Sequence, residues 1–170
     1  MFMARGQAHG ALVNKLQCLR LSAAPVYGGA MADGFDVRRF TAHGFGGHAG
    51  LLGIAYRAHG PDWAELTLPW RSELVGDPAR DVLASGPIIT LMDMATSFSV
   101  WQKRGAFVSH ATLDLRVDYL RPAVPGRAVV GRGECYRLTR ALSFVRGQAH
   151  DGDPADPIAH VVGSFMLTDA

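Results

Sequence analysis

From Pro87 to Lys103 the chain reads PIITLMDMATSFSVWQK, a helix-length run whose apolar residues fall on nearly every face. Ile88, Ile89, Leu91, Met92, Met94, Ala95, Phe98, Val100 and Trp101 leave almost no polar side for water. A helix apolar all round is a buried helix, and this run falls short of the ~20 residues that span a bilayer. The rest of the chain must therefore wrap it. Asp93 is the single acid in the run, and a carboxylate there is costly unless it is paired, hydrogen-bonded or used.

The flanking segments supply the wrapping. Ser85-Gly86-Pro87 starts the helix, because serine or glycine caps and proline suits the first turn. Gly105 stops it near Arg104, and Lys103 and Arg104 suit the negative end of its dipole. Beyond it, Leu113, Leu115, Val117 and Tyr119 alternate with Asp114, Arg116 and Asp118, the period of a half-buried strand over Thr112 to Leu120. Ala128 to Leu138, Leu142 to His150 and Ile158 to Leu167 read as three more strands, the last two divided by the DGDPADP loop. Upstream, Phe35 to His48 reads as a short helix ended at Gly46-Gly47. Ile54 to Ala58 and Trp63 to Trp70 form a hairpin around Gly60-Pro61, and RSELVGDPARDVLASG follows as a loop. Two strands, one long buried helix and four strands make an α+β fold, an antiparallel sheet wrapped around a central helix.

With 170 residues, one domain is expected. We read residues 1–34 as a poorly ordered N-terminal extension, with Met31 an alternative start, and residues 35–170 as the domain. A net charge of +2 argues against a dedicated nucleic-acid binder. Cys18 and Cys135 stand far apart and the histidines lack ligand spacing. Neither a disulfide scaffold nor a metal site is expected, and a reducing, cytoplasmic setting is.

Three stretches in this order, LPWRSELVGD (Leu68–Asp77), SGPIITLMDMA (Ser85–Ala95) and TLDLRVDYLRPA (Thr112–Ala123), carry a resemblance. Together with the late strands they resemble the hotdog-fold acyl-CoA thioesterases, most nearly the phenylacetic-acid-pathway (PaaI-like) branch. The resemblance implies a homodimer or homotetramer with its active site across a dimer interface and no cofactor beyond the coenzyme A of the substrate; no membrane partner is expected, since no apolar run reaches bilayer length. It implies that Asp93 is the general base or nucleophile, that the Gly86 N–H polarises the thioester carbonyl, and that Ser97 helps hold the attacking water. One departure stands out: the family's His-Gly-Gly reads Ala84-Ser85-Gly86 here.

Elementary chemistry supports part of this. The N–H groups of a helix start are unsatisfied and favour negative charge, so Gly86 would stabilise the oxygen of an attacked thioester. Thr90, Asp93 and Ser97 fall on one stripe at i, i+3 and i+7. Two turns separate Asp93 from Gly86, so the acid is expected from the neighbouring subunit. Ser85, Thr90, Ile88, Ile89 and Met92 are the expected substrate-binding residues, and Arg121 either meets the coenzyme A phosphates or ends a strand. His110, alone at a strand start, reads as structural. The expected activity is hydrolysis of an aryl, short- or medium-chain acyl-CoA. The alternative is an acyl-CoA or fatty-acyl binding protein that does not cleave, motivated by Ala84. A hotdog hydratase would need a histidine beside the acid, and no such pair sits on the helix.

Overall fold

The computed structural model describes residues 36–168. The expectations for residues 1–34, Met31 included, lie outside the described residues. In chain order the elements are α1 (Val37–Thr41), α2 (Gly47–Leu52), β1 (Ala55–His59), β2 (Trp63–Leu68), a 3₁₀ turn (Ser72–Leu74), β3 (Val75–Asp77), β4 (Val82–Leu83) and α3 (Ser85–Arg104). Then come β5 (His110–Tyr119), β6 (Val129–Leu138), β7 (Leu142–His150) and β8 (Ala159–Leu167).

Six strands form one antiparallel sheet in the order β1-β2-β6-β7-β8-β5. α3 packs across it, against β2, β6 and β7. Leu91, Met92 and Ala95 of α3 meet Leu66, Leu68, Val129 and Ala149 of the sheet in one core. Glycines set how close the helix sits. A Cβ on Gly133 would lie 2.5 Å from the backbone of Ala95 and Thr96, and one on Gly131 would lie 2.8 Å from Leu91 Cγ. A glycine inside a strand marks such an approach.

Several expectations change. The helix expected over 35–48 is two short ones, because Gly44 turns the chain at φ 75° and Gly46 caps α2 in extended conformation. Gly47 begins the second helix instead of ending the first. The expected loop after Trp70 contains the β3–β4 hairpin. α3 itself runs where the sequence puts it, and Gly105 (φ 67°) closes it with bonds to Trp101 and Gln102 carbonyls. It is not buried all round, however. Ile89 is 41% exposed, and Thr90, Asp93 and Ser97 are half-buried.

The strand after α3 differs most usefully. β5 begins at His110, and its pairing with β8 slips between Thr112 and Asp114, leaving Leu113 as the extra residue of a bulge. Side chains alternate faces along a strand, and a bulge shifts that alternation by one. His110 and Thr112 therefore face α3 before the bulge, while half-buried Leu115 and Val117 follow the other parity after it. Leu113, expected in the apolar set, is 54% exposed.

Candidate active site

α3 and β5 run antiparallel and touch through side chains at three levels. Near the C-terminal half of α3, Ser97 Oγ lies 2.7 Å from His110 Nε2. One turn earlier, Thr112 Oγ1 donates to Asp93 Oδ1 at 2.9 Å. At the helix start, the Tyr119 hydroxyl donates to the Ser85 carbonyl at 3.0 Å. Burial pushes the Tyr119 phenol above its ordinary range, so it remains a donor there.

The first turn of α3 is open. Ala84 at the N-cap makes no side-chain capping bond, and Ser85 and Gly86 are exposed. A Cβ on Gly86 would meet nothing within 4 Å. Unsatisfied N–H donors at a helix start, in the positive field of its dipole, suit an oxygen that gains charge. Thr90 hydrogen-bonds back to the Gly86 carbonyl at 3.1 Å, and His48 of α2 brings Nε2 to within 3.4 Å of its hydroxyl. Gly86 and Asp93 are seven residues apart, about 10 Å along the axis at ~1.5 Å per residue.

The other expected site residues are placed as follows. Ile88 and Met92 point into the core at 2% and 0% exposure, whereas Ile89 looks outward. Arg121 closes on the β7–β8 loop: its Nη1 and Nη2 donate to Asp151 at 2.9 and 2.7 Å, and its Nε pairs with Asp156 at 2.9 Å. Arg121 thus anchors the corner after β5. No group of three or more His, Cys, Asp or Glu among the described residues is placed to hold a metal.

Two residues of this arrangement carry little signal in the sequence. By spacing alone Thr112 is only the edge of a strand, and His110 reads as structural. A polar pair in i, i+2 spacing at a strand start is a faint signal, and their common facing depends on the bulge.

Residues 82–158 match the family model of the thioesterase superfamily. A Pseudomonas aeruginosa protein of known structure is 40% identical over 77% of this chain and 96% of its own, with a TM-score of 0.68. A Shewanella oneidensis protein related to the thioesterase superfamily is 26% identical, covering 70% of this chain and 85% of that one at a TM-score of 0.60. The E. coli PaaI protein from the phenylacetic acid degradation operon, 15% identical over 69% and 86% of the two chains, matches in fold at a TM-score of 0.60. No curated protein sequence matches the chain. The sheet wrapped on one long helix and these likenesses agree: the chain belongs to the thioesterase superfamily and has its hotdog fold.

Proposed function

We propose that the protein hydrolyses an acyl-CoA thioester, aryl or of short to medium chain, to the free acid and coenzyme A. The observation that carries this reading is the half-open Asp93 carboxylate held by Thr112 at 2.9 Å on the polar stripe of an otherwise apolar helix. The hydrogen bond fixes one carboxylate oxygen and leaves the other for chemistry. Asp93 either takes a proton from water that attacks the thioester carbon, or attacks that carbon itself to give an anhydride that water then opens. Either way the carbonyl oxygen gains charge, which the Gly86 N–H would receive as a hydrogen-bond donor. The C–S bond then breaks, and coenzyme A leaves with a proton.

The ~10 Å between Gly86 and Asp93 calls for two copies of the chain. Among the described residues β5 pairs only with β8, which leaves its other edge open over 10 residues, and Leu113 and Leu120 are 54% and 56% exposed. A long open edge with apolar side chains is a pairing surface. In our reading, two β5 strands meet there and set the Gly86 of one subunit toward the Asp93 of its partner. Ser85, Thr90 and Ile89 would line the acyl channel from the open face of α3, with Ser97 holding the water and Ile88 and Met92 backing the wall. Arg121 serves as the anchor of the corner. No helix among the described residues is long and apolar enough to cross a membrane, and buried, unpaired Cys135 suits a cytoplasmic setting.

The test is thiol release from acetyl-, octanoyl- and benzoyl-CoA by the wild type and by Asp93→Asn, with the oligomeric state of both measured. Turnover by the wild type and its loss in an assembled mutant support the reading. Wild-type binding of acyl-CoA without turnover would replace it with the acyl-CoA binding role.

A further inference from the structure

Past its first turn, the hydroxyls of α3 divide by the shortest bond each makes. Thr90, Thr96 and Ser99 turn back onto carbonyls of their own helix, at 3.1 Å to Gly86, 2.8 Å to Met92 and 2.6 Å to Thr96. That is the ordinary habit of mid-helix serine and threonine. Ser97 instead reaches across to the His110 ring at 2.7 Å.

The ring's other nitrogen decides the direction of this bond. His110 Nδ1 lies 3.0 Å from the Val108 carbonyl, which only accepts, so Nδ1 carries the hydrogen. In the neutral ring Nε2 is then a lone pair, and the Ser97 hydroxyl must donate to it. The ring is also held in place. Trp101 meets it edge-on at 5.4 Å and Phe165 at 5.1 Å.

Resting on the thioesterase reading above, we infer that His110 is a positioning residue: its Nε2 accepts the hydrogen bond of the Ser97 hydroxyl, so that Ser97 offers only lone pairs to the attacking water. Ser97 follows Asp93 by one turn on the same stripe, so the water would give one hydrogen to Asp93 and rest its other on Ser97. Activity then requires neutral His110. A protonated ring would donate at both nitrogens, and Ser97 would have to turn its own hydrogen elsewhere. Desolvation among the aromatic rings lowers the His110 pKa below its ordinary 6.5. The Val108 carbonyl and, from α3, the Asp93 charge pull the other way, and β8 packs the Phe165 ring against the imidazole. Neutral His110 is therefore the form at neutral pH.

The test is a kinetic cycle of Ser97→Ala, His110→Phe and the double variant, with His110→Gln as the conservative replacement. Phenylalanine keeps the aromatic packing and removes the acceptor; glutamine keeps an acceptor and does not titrate. The substrate is whichever of acetyl-, octanoyl- or benzoyl-CoA the wild type cleaves fastest. We expect His110→Phe to lower kcat about tenfold with KM within about twofold, the scale of one lost hydrogen bond. We expect the double variant to be no slower than Ser97→Ala, because both act through one hydroxyl. His110→Gln should recover part of kcat and lose the His110 contribution to the acid limb, which desolvation places below the ordinary histidine range. Nitrogen NMR of the wild type should show the Nδ1–H tautomer. Full additivity in the cycle, an effect on KM alone, or an Nε2–H tautomer would overturn the inference. A wild type without turnover would overturn this and the thioesterase reading together. Loss of activity in Asp93→Asn with His110→Phe at the wild-type rate would overturn this one alone.

Discussion

Asp151 offers a sharp test of how the corner behind the site is held. Its carboxylate, 3% exposed at the side chain, accepts two bonds from Arg121 at 2.9 and 2.7 Å and one from the Val124 N–H at 2.7 Å. Arg121 first, and the Val124 N–H after it, hold the carboxyl down from 3.8 to about 2 against the opposing effect of burial. A carboxyl whose folded pKa is lowered stabilises the fold above its unfolded pKa and loses that stability as pH falls through the folded one. At about 1.36 kcal/mol per pH unit, the ion pair and its hydrogen bonds contribute on the order of 2 kcal/mol near neutrality. Asp151→Asn should cost about 2–3 kcal/mol at pH 6.5, since it also strands part of the Arg121 charge. Urea unfolding at fixed protein concentration and ionic strength measures it. The gap between wild type and mutant should fall to roughly half at pH 3 and nearly vanish at pH 2. A gap that stays constant between pH 6.5 and pH 2 would refute the reasoning and assign the loss to packing.

Thr112→Val keeps the shape of the side chain but removes the donor to Asp93; kcat on the best acyl-CoA should drop about 10- to 100-fold with little change in KM, the scale of a bond to a charged group. A kcat within twofold of wild type would take Thr112 out of the site. Gly133→Ala places a Cβ 2.5 Å from the Ala95 and Thr96 backbone, where no flexible side chain can yield. It should cost about 1–3 kcal/mol or more in urea unfolding, as core overpacking does, while Gly126→Ala, strained only by its φ of 75° at an open turn, should cost less.

Much of this protein was legible in its sequence. The all-round apolar pattern, the start at Ser85-Gly86-Pro87 and the stop at Gly105 defined α3, and local chemistry sufficed because each signal acts within a turn or two. The strand periods gave β5 to β8 nearly in full. The same spacing rules placed Thr90, Asp93 and Ser97 on one stripe, and the open face of α3 carries all three.

Tertiary structure decided what stands opposite that stripe. A period-two pattern through Leu113 assigns Leu113, Leu115 and Val117 to one face, but the bulge against β8 breaks that assignment in the middle. The bulge is a property of two strands in register, 50 residues apart, so β5's own residues do not announce it. It turns His110 and Thr112 toward Ser97 and Asp93 while Tyr119 still reaches Ser85. It likewise took the folded corner to bring Arg121, which spacing alone left between a phosphate contact and a strand end, onto Asp151. Periodicity reports which face a residue occupies relative to its own neighbours. Which partner that face meets is fixed by register and packing, because those energies belong to pairs of segments and not to either one.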